Sequence, residues 1–155
     1  MIVEFYKYQG TGNDFIIIDD RDNLFDDKDY RLIASLCERK MGIGADGLIL
    51  LRKHFECDFE MLYFNSDGYQ SSMCGNGGRC IVAFAHMLEI IGVETTFMAI
   101  DGKHKARIAK DRVHLQMQDV VSILELNDDL VLDTGSPHYI KIVDSFKSFD
   151  INKEG

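Results

Sequence analysis

One stretch, from Asn76 to Ile91, limits what this chain can fold into more than any other. It lacks proline and carries Ile81, Val82, Phe84, Ala85, Met87, Leu88, Ile90 and Ile91, which fall on most sides of a helix. A surface helix shows one apolar stripe, so a helix like this one must be covered nearly all round. Gly92 reads as its terminator. Something has to wrap it, and most of the remaining sequence reads as strands.

Ile2 to Tyr8 alternates, and "FIIID" (15–19) is branched and apolar, with the tight glycine turn "QGTGND" between them. "GLILL" (47–51) and "CDFEMLYFN" (57–65) follow, then "ETTFMAI", "HKARIAK" and "RVHLQMQ", separated by "DG" and "KD" turns. After "DVVSILELNDD", the segments "LVLDT" and "HYIKIV" read as two more strands around "GSP". "DKDYRLIASLCERKM" predicts a second, peripheral helix. Asp27 or Asp29 would cap it, Leu32, Ile33, Leu36 and Cys37 form its apolar stripe, and "GIG" stops it. The expected class is α+β: a many-stranded curled sheet wrapped around a central buried helix.

At 155 residues with 46% hydrophobic content the chain can bury a real core. Net charge is −9, divided as −4 over residues 1–118 and −5 over 119–155. That balance argues against a nucleic-acid footprint, which needs clustered Lys and Arg. No apolar run approaches the roughly 18 residues that cross a bilayer. Glu4 and Lys7 interrupt the apolar pattern at the start, so no signal peptide is read and the expected location is cytoplasmic. Cys37, Cys57, Cys74 and Cys80 are then expected as free thiols. The absence of a CxxC pair and the scattered His argue against a structural zinc site.

Just before the buried helix stands "MCGNGG". Cys74 falls at the helix start, where four N–H groups lack partners and about half a positive charge accumulates. Such a setting can lower a thiol's pKa from about 8.5 to ~3.5–7.5, making a nucleophile or base. Gly75, Gly77 and Gly78 would let a ligand approach bare N–H groups, and those donors suit a carboxylate. Taken alone, a cysteine here is more often a small buried hydrophobe. The loop lacks both the Lys-Ser/Thr ending of a P-loop and GxGxxG spacing, so phosphate binding is the weaker reading. Cys80, six residues on, is turned about 240° round the helix and reads as core, as does Cys37. Asn13 in the tight turn, Asn65 at the end of a strand and His138 in "TGSPHY" are further candidates. Turn-forming Asn and an ordinary strand His are the plainer readings.

Three stretches in order, "KYQGTGNDFIIID", "NSDGYQSSMCGNGGRC" and "DTGSPHYIKIVD", resemble the diaminopimelate epimerases, and "GIGADGLILL" resembles a fourth block. The likeness runs through essentially the whole chain. The wider cofactor-independent group, with proline racemases and phenazine-biosynthesis isomerases, is similar more loosely. The resemblance implies pyridoxal-free interconversion of LL- and meso-diaminopimelate by two opposed cysteines, with no cofactor and no metal. It implies Cys74 as one proton carrier and Gly75 and Asn76 as binders of the substrate carboxylate. Asn13 and Asn65 would hold other polar groups, and His138 would assist catalysis. Ser136 stands where relatives often have a substrate-binding Asn, and Gly47 where some carry a Gln that touches substrate. The partner implied is the small-molecule substrate, with no nucleic acid and no membrane, and the family's tendency is to homodimers. Residues 1–118 correspond to the first domain of such a protein and 119–155 to the truncated start of the second. No second "ACGTG"-like motif is present in the sequence, so the expectation is a half-site that does not epimerise alone. Two other readings stay open: another racemase or proton-shuttling isomerase of the same fold, and a non-catalytic small-anion binding module.

Overall fold

The computed structural model describes residues 3–145, 150 and 153. The chain divides into two compact units, Met1–Gln118 and Asp119–Gly155.

In the first unit, among the described residues, seven strands form one sheet in chain order. They are β1 (Tyr6–Gly10), β2 (Asn13–Asp19), β3 (Gly47–Arg52), β4 (Phe59–Asn65), β5 (Glu94–Ala99), β6 (Gly102–Ala109) and β7 (Arg112–Leu115). Helix α1 (Tyr30–Cys37) connects the parallel pair β2–β3, and α2 (Gly75–Met87) connects the parallel pair β4–β5. The other neighbours are antiparallel.

Strand alternation divides the side chains between two cores. Phe15, Ile17, Ile49, Leu51, Phe59, Met61, Phe97, Ala99 and Ala106 face α2, together with Tyr6, Tyr8, Ile108, Val113 and Leu115. Every strand of the sheet therefore sends residues to that helix, and both edge strands, β1 and β7, touch it. The sheet curls around α2 because only curvature brings two edges seven strands apart onto one helix. Ile16, Ile18, Leu48 and Leu50 point the other way, onto Ile33 and Cys37 of α1.

The expected class is therefore found, a curled sheet around a buried helix, with several boundaries moved. The first strand begins at Tyr6, and Ile2 of the expected strand lies outside the described residues. The turn after it is only Thr11-Gly12, both at positive φ (56° and 87°), so Asn13 starts β2. Helix α1 is capped by Asp29, whose Oδ1 accepts from Leu32 N at 3.0 Å. It stops at Cys37, before "GIG", because the loop itself takes over the orphan carbonyls. Ile43 N and Gly44 N donate to Leu36 O, and Ala45 N donates to Cys37 O.

Helix α2 ends at Met87, short of Gly92. The left-handed residue is Glu89 (φ 58°), and Ile90 N reaches back to Ala85 O at 3.0 Å, a Schellman-type closure. Gly77 and Gly78 are buried, and an added Cβ would lie 3.1 Å from Ile49 and Met61 or 2.7 Å from Met73. These two glycines let the first helical turn approach the sheet; Gly75 is the one left facing outward.

The second unit holds an antiparallel sheet of β8 (Ile123–Leu126), β9 (Asp129–Asp133) and β10 (Pro137–Ile140), in the order β10-β9-β8. Strand β8 is an addition to the sequence reading, since "ILEL" does not alternate cleanly. Of the polar end "SFDINKEG", only Asp150 and Lys153 are among the described residues.

The buried thiols give the fold a pH limit. Burial pushes Cys37 and Cys80 up from about 9 to about 11, and both are nearly inaccessible. Between those values the unfolded chain loses protons that the folded chain keeps, so stability falls as pH rises. The contribution is fully present below pH 9 and is lost towards pH 11, at up to about 1.4 kcal/mol per pH unit for each thiol. The urea midpoint is expected to drop clearly between pH 8.5 and 10.5 and to drop less in a Cys37→Ala, Cys80→Ala variant. Equal slopes in the two proteins would contradict this account.

Candidate functional site

Cys74 is the N-cap of α2, in extended conformation (φ −108°, ψ 113°). Its Sγ lies 3.5 Å from Gly77 N and its carbonyl accepts Gly78 N at 2.8 Å. The N–H groups of Gly75 and Asn76 are first-turn donors with no acceptor inside the helix. Gly75 presents no Cβ, and the nearest atom to where one would stand is Met117 Sδ at 3.6 Å. A thiol and two first-turn donors thus share the positive end of a helix, which suits a carboxylate whose α-carbon meets the sulfur.

Asn13 comes to the same place from the start of β2. Its Oδ1 lies 3.6 Å from Cys74 Sγ and 3.5 Å from Asn76 Nδ2, while its Nδ2 donates to Asp46 Oδ2 at 2.8 Å. The plain reading of Asn13 as serving its own turn is replaced: the side chain that closes the turn is Gln9, whose Oε1 accepts Gly12 N at 3.0 Å. Asn76 Oδ1 in turn accepts from Arg79 Nη2 and lies 3.1 Å from Thr11 Oγ1.

Behind Asn13 stands a charged cluster. Arg39 Nη2 bridges Asp14 Oδ1 and Asp46 Oδ1, each at 2.7 Å, and Lys7 Nζ pairs with Asp14 Oδ2 at 2.8 Å. Arg39 holds the Asp14 carboxyl well below the usual range. The Asn13 amide and the Asp14 N–H lower the pKa of Asp46. Both are therefore carboxylates at neutral pH.

Asn65 closes β4 beside the site strand: it pairs with Gly47, is exposed, and its carbonyl accepts Gly68 N at 2.9 Å. Gly47 is dictated by packing. An added Cβ would sit 2.5 Å from both Phe64 O and the Tyr63 ring, so the space belongs to Tyr63. Burial pushes the Tyr63 hydroxyl up to about 12, with Cys74 and Asp46 adding to the effect.

His138 and Ser136 lie in the second unit. His138, on β10, is exposed, and its Nδ1 faces Ser136 O at 2.6 Å and Thr134 Oγ1 at 3.4 Å. The site in the first unit comprises Cys74, Gly75, Asn76 and Asn13, with Asn65 on the neighbouring strand end. Asp46, Arg39, Thr11 and Arg79 were not foreseen. Only the "GIGADG" block hinted at Asp46.

The other thiols are elsewhere. Cys37 belongs to the core on the α1 face, and Cys80 is buried beneath Gly10, whose would-be Cβ is 3.5 Å from its sulfur. Cys57 precedes β4 at the end opposite Asn65, beyond a strand that spans roughly 20 Å at ~3.3 Å per residue. All four are free. Among the described residues no helix is long and apolar enough to cross a membrane. A wide cleft of about 650 Å³ on β5–β7, lined by Asp58, Lys105, Arg107 and His114, gathers no comparable set of groups.

The fold is one shared with solved structures. A crystal structure of a PhzF-family phenazine biosynthesis protein from Bacillus anthracis is similar at TM-score 0.61 and 17% identity, covering 90% of this chain and 56% of that one. A hydroxyproline epimerase from Agrobacterium vitis, solved with trans-4-hydroxy-L-proline, is similar at 0.59 and 15%, covering 87% and 50%. Residues 5–122 match the family model described as diaminopimelate epimerase. The chain belongs to the diaminopimelate epimerase family. It is 53% identical to the diaminopimelate epimerase of Flavobacterium psychrophilum over 154 residues, 99% of this chain and 60% of that protein. To that of Chlorobaculum tepidum it is 41% identical, over 94% of this chain and 60% of the relative. The chain thus spans about 60% of the length of these relatives.

Proposed function

We propose that this chain carries one thiol half of a pyridoxal-independent epimerase that interconverts LL- and meso-diaminopimelate. The observation that carries the reading is Cys74 at the positive end of a buried helix. Asn13 faces its sulfur, and the N–H groups of Gly75 and Asn76 are first-turn donors beside it. The Cys74 thiolate takes the α-proton: the Cα–H bond breaks, an S–H bond forms, and the electron pair moves into the carboxylate. The α-hydrogen of an amino acid is very weakly acidic, so the helix-end donors must stabilise that charge in place. An opposed thiol then gives its proton to the other face of Cα, which inverts the centre. Cys37, Cys57 and Cys80 are all placed away from Cys74, so the opposed thiol comes from sequence other than the described residues.

Asn65 is assigned to a further polar group of the substrate. His138 assists and Ser136 contacts substrate by resemblance. A small-molecule substrate, a cytoplasmic setting and a homodimer belong to the same proposal. So does the assignment of residues 1–118 as one domain and 119–155 as the start of another.

The test joins this chain to the remaining part of the Flavobacterium psychrophilum relative, incubates the chimera with LL-diaminopimelate in deuterated water, and follows α-deuteration and meso product. Conversion is expected from the chimera and none from the 155-residue chain alone. Faster α-exchange on another amino acid would move the assignment to a different racemase. A folded chimera that binds diaminopimelate without exchanging its α-proton would leave only an anion-binding module.

A further inference from the structure

The orientation of the Asn13 amide is fixed by charge. A carboxylate can only accept, so the Asn13 atom 2.8 Å from Asp46 Oδ2 is its NH₂ group. The carbonyl oxygen then necessarily faces Cys74 Sγ at 3.6 Å. The opposite end is set the same way. Arg79 can only donate, so it faces Asn76 Oδ1 and turns the Asn76 NH₂ towards Asn13 Oδ1 at 3.5 Å. Asp46 is itself held on both sides, by Arg39 on Oδ1 and by Asp14 N at 3.2 Å on Oδ2.

We infer that Asp46 is a positioning residue for the Cys74 thiol, acting through Asn13: it keeps that amide an acceptor towards sulfur and not a donor. The inference rests on the reading of Cys74 as the proton carrier. An acceptor holds the S–H in a defined direction, which matters for a group that must receive and return a proton along one line. A donor in the same place would instead stabilise the thiolate and enlarge its share at neutral pH. The alkylation rate then rises by less than the share itself, because a more stable thiolate is a weaker nucleophile.

The test replaces Asp46 by Asn, nearly the same shape with one face reversed. Arg39 claims the new amide oxygen, which leaves an NH₂ against Asn13 and turns the Asn13 NH₂ towards Cys74. The readout is the iodoacetamide alkylation rate of Cys74 in this chain at pH 7.5, followed by mass spectrometry. Asp46→Asn is expected to raise it about 3-fold, and to have no further effect in an Asn13→Ala background. Asp46→Ala, which frees the amide to rotate, is expected to raise it about 3-fold, with the same dependence on Asn13. Continued shielding of Cys37 and Cys80 from the reagent reports that each variant is folded. Rates within 2-fold of the parent for both variants would overturn the inference. So would an equal effect with and without Asn13, since a merely structural role of Asp46 would persist there. The alkylation rate needs no epimerase activity, so failure of the catalytic reading and failure of this one are separable.

Discussion

Cys74→Ala in the chimera is expected to reduce kcat/KM for diaminopimelate by at least ~10²–10⁴-fold, the usual contribution of a positioned acid–base group. The change has two physical parts. It removes the only thiol that the described residues place beside the helix-end donors, and it removes an N-cap acceptor from Gly77 N. The cap alone is worth about 1 kcal/mol of stability. Cys74→Ser separates the two, because serine is a good N-cap yet far too weak an acid to exchange a proton with Cα at neutral pH. Cys74→Ser should therefore melt with the parent protein and be as inactive as Cys74→Ala. A serine variant retaining more than a tenth of parent activity would remove the thiol from the mechanism. The urea midpoint of each variant shows which part of the change is structural.

The largest effect on folding is expected from Arg52→Met. Asp20 is nearly fully buried and accepts Leu24 N at 2.8 Å, Phe25 N at 2.9 Å and Arg52 Nε at 2.7 Å. Arg52 also binds Asp27 Oδ2 at 2.8 Å and the Phe25 carbonyl at 3.2 Å. One guanidinium thus fastens the loop between β2 and α1 to the end of β3. Removing it leaves a carboxylate in the interior without its counter-charge, a change that costs about 3–5 kcal/mol. Lys53→Met is the matched control. Its pair with Asp22 is 3.4 Å long and exposed on both sides, so its loss should cost less than about 1 kcal/mol. Urea titration of the two variants gives the comparison directly. An Arg52→Met loss no larger than that of Lys53→Met would mean that the buried triad contributes nothing net.

The Asp20–Arg52 pair also shows where sequence reading stops. Asp20 and Arg52 are ordinary charged residues in the sequence, one in an acidic stretch and one at a strand end. Nothing in their neighbours says that they meet. The same holds for Asp46, read only as part of "GIGADG", and for Arg39, read as the tail of a helix that in fact ends at Cys37. Asn13 was singled out as a site candidate, but its partners, Asp46 and Cys74, were not legible. The parallel register that sets Phe15 opposite Gly47 places Asn13 beside Asp46, and α2 then brings Cys74 within reach of Asn13.

What the sequence determined by itself was periodic or local. A helix apolar on most sides demanded a wrapper, and alternating strands supplied one. The "MCGNGG" turn put a thiol at the helix start, because capping and glycine geometry act over a few residues. Only the tertiary structure decided that Gly77 and Gly78 serve packing while Gly75 faces out. Only it decided that two amides are turned by Asp46 and Arg79. Those outcomes depend on strand register and on contacts between residues as far apart as Asn13 and Cys74. A hydrogen bond has a direction that such long-range placement sets, and residue order along the chain carries no record of it.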